Sequence, residues 1–213
     1  LENKYILSGI EEQLYISLTN IDVALRPEKR VLYEEFSHVT NLLKEHLKLC
    51  GSYMINRRLA KNLLYTFTHI INEMDYASDL KKQELVKVLL EYEQDIISFL
   101  FAGNVQNDVD DLFNYARGIG LTDVIQELTM NLQNHTFRKL DYKLKLKPIL
   151  RELSQKISKE EVISKLLAYE LFILLKEVYW STTLIHNDVL YLVSVSDVYL
   201  DVSRYVEDIF GAE

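Results

Sequence analysis

Two prolines and six glycines are all that punctuate 213 residues, where average usage would supply about 25. Sandwiches, barrels and doubly wound sheets need many tight turns, and these two residues are the ones that form them most readily. A chain so poor in both is left with long helices and short connections. The expectation is an all-α fold, a multi-helix bundle of eight or nine helices, arranged as one body or as two successive bundles.

The apolar spacing agrees. Ser8-Gly9-Ile10-Glu11 has the spacing of a capping box, which predicts a helix start. Ile10, Leu14, Leu18, Ile21 and Leu25 then follow at steps of three and four, the stripe of one helical face. Pro27 is expected to end that helix and open the next, because the first helical position needs no N–H. Leu32, Phe36, Val39, Leu43 and Leu47 form a second stripe closed by Gly51. Leu59, Leu63, Phe67, Ile70 and Met74 form a third. A fourth, Leu85, Leu89, Tyr92, Ile96 and Phe99, has Ser78 as its cap and Gly103 as its stop.

Residues 104–120 are polar and glycine-bounded, with room for a short helix through Val109, Leu112, Phe113 and Ala116. They read as a waist, dividing the chain into an N-terminal bundle, 1–103, and a C-terminal half, 104–213. In that half a helix is expected from Thr122 to about Leu140, and another from Pro148. Between them Lys143-Leu144-Lys145-Leu146-Lys147 alternates like an extended linker. Ser158-Lys159-Glu160-Glu161 is a second capping box, ahead of the most apolar helix, 162–180, which should be central because it is greasy on nearly every face. In the last helix, residues 187–210, Leu192, Val195, Tyr199, Val202, Val206 and Ile209 keep the 3-4-3-4-3 spacing of a bundle seam, an expected interaction surface.

Charge and motifs narrow the function classes. A net charge of −8 argues against nucleic-acid binding by the whole surface. Cys50 is the only cysteine, so neither an intrachain disulfide nor a cysteine metal cage can form, which fits an intracellular, cytoplasmic setting. A membrane span needs about 20 apolar residues; in the most apolar stretch Lys165 and Lys176 bracket ten. No glycine-rich phosphate loop, Gly-x-Ser-x-Gly or His-Glu-x-x-His occurs. That points away from an enzyme and implies no cofactor.

Several residues stand out against this background. Glu170 interrupts an apolar run and is a candidate buried acid or metal ligand, or else a carboxylate paired with a core Tyr, Arg or His; left unpaired, it would cost several kcal/mol or neutralise. Glu35 and His38 have the Glu-x-x-His spacing used by helical metal bundles, though only one such motif is present. Asp197 and Asp201 share one helix face, as in a carboxylate-rich metal-binding or phosphate-regulatory bundle. The strongest regional feature is charge segregation. Residues 138–159 carry eight cations, including Arg138, Lys139, Lys143, Lys145, Lys147 and Arg151, against Asp141 and Glu152. From Glu160 onward ten acids face Lys165, Lys176 and Arg204.

The basic segment is a candidate surface for an anionic partner, nucleic acid or lipid headgroups. Because the opposed charges nearly balance, it is equally suited to lying against the acidic C-terminal helix of this chain or of a second copy. The leading functional expectation is a non-enzymatic regulatory or scaffolding module that binds another protein or itself. Metal binding at the carboxylates and anion binding at 138–159 are the alternatives.

Overall fold

A computed structural model describes residues 2–28, 30–50, 54–102, 111–157, 160–184 and 189–211. Among the described residues 87% are helical and almost none are in strands, an all-α multi-helix bundle. It divides into two compact units, Leu1–Val105 and Gln106–Glu213. Among the described residues no helix is long and apolar enough to cross a membrane. The expected helix stops at Gly51 and Gly103, Val109, and the Ser158-Lys159 half of the second capping box lie outside the described residues.

The N-terminal unit consists of α1 (Glu2–Glu28), α2 (Tyr33–Cys50), the three-residue strand β1 (Met54–Asn56), α3 (Arg57–Met74) and α4 (Asp79–Phe101). Helix α1 packs on α2 and α3, and α4 packs on the same two. Every residue of the first, third and fourth stripes is buried. Each large aliphatic side chain so placed contributes about 1.5–3 kcal/mol. On α2 the buried set is Val39, Leu42, Leu43 and His46, with Phe36 and Leu47 only half-buried. Several polar groups in this core are paired, as burial favours. Asp22 of α1 accepts from Thr66 Oγ1 at 3.1 Å, and its other oxygen lies 3.1 Å from Nδ1 of buried His69. The phenol of Tyr92 donates to the Leu63 carbonyl at 3.0 Å.

Two boundaries differ from expectation. Helix α1 begins at Glu2, so Ser8 and Gly9 are interior positions and the first capping box caps nothing. The apolar stripe that follows holds the helix despite the glycine. Pro27 sits in the last turn of α1, and α2 starts only at Tyr33. There the proline removes just the bond to the carbonyl of Val23, an exposed residue, while Arg30 N–H closes the end on the Ala24 carbonyl at 3.2 Å.

The C-terminal unit contains α5 (Asp111–Gly118), α6 (Leu121–Gln133), strand β2 (Val162–Ser164), α8 (Lys165–Leu184) and α9 (Val189–Phe210). A continuous helix, α7, lies between α6 and β2; it joins Lys139–Asp141, a π turn Tyr142–Leu146, and Lys147–Ile157. Helix α8 is central, contacted by α5, α6 and α9, and its Leu167, Ala168, Leu171, Phe172, Leu174, Leu175 and Val178 have no exposed surface. It starts after Ser164, whose hydroxyl accepts from Leu166 N–H at 3.1 Å, so Ser164 is the cap in place of Ser158. Helix α6 stops at Gln133, short of Leu140, because His135 takes a left-handed φ of 56°, the usual ending of a helix.

The expected linker at Lys143–Lys147 is helical instead. Proline cannot donate to the carbonyl four residues back and its ring crowds that carbonyl; here that is Leu144, ahead of Pro148. The chain answers with a π turn, Lys147 N–H reaching the Tyr142 carbonyl. Tyr142 and Leu146, four apart, share the buried face of this helix, and Leu140 and Leu144 point outward.

Two glycines give opposite expectations. A Cβ added at helical Gly9 meets nothing within 4 Å, so Gly9→Ala should stabilise by about 0.5–1 kcal/mol. Gly120 has a φ of 84°, so Gly120→Ala should destabilise by about 1–2 kcal/mol. Urea unfolding of both variants checks the signs.

Candidate functional site

Four of the charged residues singled out in the sequence, Lys139, Lys143, Asp197 and Asp201, line one groove of the C-terminal unit. It encloses about 270 Å³ and is lined by Lys139, Tyr142 and Lys143 of α7 and by Asp197, Val198, Leu200, Asp201 and Arg204 of α9. The apolar seam of α9 orients that helix. Val195, Val202, Val206 and Ile209 are at most 2% exposed, with Leu192 and Tyr199 half-buried. The seam packs against α7 and α8 of its own unit. The opposite face of α9, with Val193, Asp197, Leu200 and Arg204, is turned to solvent.

Two ion pairs tie α7 to α9. Lys139 pairs with Asp197, and Lys147 Nζ lies 2.6 Å from Asp201 Oδ2. The same Asp201 oxygen accepts the Tyr142 hydroxyl at 2.9 Å, from a phenol that is 2% exposed. Burial pushes the Asp201 carboxyl up, but the hydrogen bonds from Lys147 and Tyr142, with the charges of Lys147 and Arg204, outweigh it and hold the group below its usual value. Burial first, and then the bond to Asp201, drive the Tyr142 phenol well above its ordinary range.

The remaining cations of the basic segment are mostly engaged as well. Lys145 pairs with Glu127 on α6, and that hydrogen bond raises its pKa. Lys156 lies 3.2 Å from the centre of the Tyr115 ring. Arg138 reaches Asp141 loosely, at 4.0 Å. Lys143 and Arg151 are exposed and have no ion pair among the described residues.

The other candidates lie elsewhere. Glu35 accepts from Asn20 at 3.0 Å, and His38 is exposed on the same helix. Among the described residues no group of three or more His, Cys, Asp or Glu side chains is placed to hold a metal ion. Glu170 is half-buried; desolvation raises its pKa and the nearby charge of Arg117 partly opposes the rise.

Sequence reasoning did not foresee the apolar rim. Leu140, Leu144, Val193 and Leu200 are 60%, 68%, 55% and 64% exposed. The Leu-x-x-x-Leu spacing was visible, but its outward direction depends on residues 143–147 being helical rather than extended. Comparison with protein-family models, with curated proteins and with solved structures finds no match.

A carboxyl whose folded pKa is depressed adds stability above its unfolded value, near 3.9 for Asp, and loses it as pH falls through the folded value. Asp201 therefore supports the unit above about pH 4. With Asp201→Asn the melting temperature should fall less steeply below that pH than in the parent. Thermal unfolding across the acid range measures it, and equal slopes would remove Asp201 from the account.

Proposed function

We propose that this chain is a non-enzymatic helical module, regulatory or scaffolding in role, that binds another protein chain through the outer surface of α7 and α9. The observation that carries the reading is the set of exposed leucines, Leu140, Leu144 and Leu200, beside a groove of fixed charges. Clustered apolar surface at a polar rim is what protein interfaces use.

The alternatives draw less support. Four cations of the basic segment, Arg138, Lys139, Lys145 and Lys147, face carboxylates. Among the described residues that leaves Lys143, Arg151 and Lys156 as the exposed cations of the segment facing no carboxylate, few for a surface whose affinity grows with each phosphate neutralised. Asp197 and Asp201, the candidate metal ligands, already hold lysines. A lone cysteine fits a reducing cytoplasmic setting.

The test compares proteins retained from a native extract by the immobilised chain with those retained by a Leu140→Asp/Leu144→Asp variant of equal melting temperature. Both side chains are exposed, so folding should be preserved. Proteins held by the parent and lost by the variant are expected; identical retention would contradict the reading.

A further inference from the structure

Reading the outer stripe of α9 backwards exchanges the signs of its charges. Val193, Asp197, Leu200 and Arg204 follow at steps of four, three and four, so they share one face. Val193 and Leu200 are exposed, the Asp197 side chain is 50% exposed, and Arg204 is exposed too. Asp197 precedes Leu200 by three residues and Arg204 follows it by four. A second copy of this helix, turned antiparallel about a twofold axis beside Leu200, would set Asp197 against Arg204 of that copy, and the reverse. Leucine would meet leucine between the two pairs. The parallel arrangement would instead oppose like charges.

We infer that α9 pairs antiparallel with α9 of a second copy of this chain, through Leu200 at the axis and two symmetry-related Asp197–Arg204 ion pairs. The inference rests on the protein-binding reading above and names its partner. An isologous contact of this kind demands a self-complementary patch, and this stripe is one in both charge and apolarity. Arg204 is available for it. Its charge helps to hold Asp201 ionised, yet it makes no ion pair or hydrogen bond among the described residues. Asp197 can accept from Lys139 and from a second cation at once, since a carboxylate offers about four lone-pair sites. Leu140 and Leu144, exposed on neighbouring α7, widen the apolar area that the contact would cover.

The test is a charge exchange read by sedimentation velocity across the micromolar range. Asp197→Lys leaves a stripe with two cations, and Arg204→Asp leaves one with two anions. Each variant alone should self-associate at least about tenfold more weakly than the parent, because both contacts become repulsive. An equal mixture of the two should form a heterodimer, since each cation then meets an anion. Leu200→Cys should give a disulfide-linked dimer on mild oxidation, while Met130→Cys, exposed on α6, and the parent with Cys50 alone should not. Recovery in the mixture together with the Leu200→Cys cross-link supports the pairing. A parent that stays monomeric overturns it, as does a dimer indifferent to both charge changes. Monomeric behaviour accompanied by retention that depends on Leu140 and Leu144 would overturn the homotypic partner while leaving the broader function standing.

Discussion

One carboxylate joins the two oppositely charged helices of the C-terminal unit. Asp201 receives an ammonium from Lys147 and a phenol from Tyr142, so a basic helix and an acidic helix are joined at a point where one partner is buried. An exposed pair such as Lys139 with Asp197 contributes only about 0–1 kcal/mol. The Asp201 cluster matters more because Tyr142 lies in the core, where a hydroxyl left without a partner would cost about 1–3 kcal/mol. The apolar seam of α9 brings the helix down on α7 and α8, and the Asp201 cluster sets which side of α7 it meets.

The outer surface follows from that arrangement. With Tyr142 and Leu146 on the buried face of a helix, Leu140 and Leu144, two residues away from them, fall on the solvent face. With Val195, Val202 and Val206 buried, Leu200 and Val193 are forced to the opposite face. Of the eight cations that in sequence form a basic patch, four face carboxylates of their own unit. Leucines, one aspartate and a few cations are left facing outward.

Much of this was legible in the sequence. Stripes such as Leu59, Leu63, Phe67, Ile70 and Met74 named their buried faces correctly because a helix in a bundle repeats at 3.6 residues and little else competes. The central position of α8 followed from a run apolar on nearly all sides. Local start signals served less well: Ser8 carries the right spacing for a cap, yet a long apolar stripe keeps the helix going through it. Lys143–Lys147 alternates as a strand would, and only the steric demand of Pro148 on a packed helix reveals the π turn. The charged groove was half legible. The opposed segments were evident from charge counting, but which lysine meets which aspartate, and which leucines face outward, depend on residues 143–147 being helical rather than extended.

If Asp201 fixes α7 against α9, its loss must loosen that contact before it disturbs the core. Amide hydrogen exchange, compared residue by residue between the parent and Asp201→Ala, tests it most directly. Protection should fall across residues 139–147 and in the facing turns of α9, while the α8 core keeps its protection. If exchange in α7 is unchanged, or if protection is lost uniformly through the unit, the Asp201 cluster is not the organising contact and the surface has another origin.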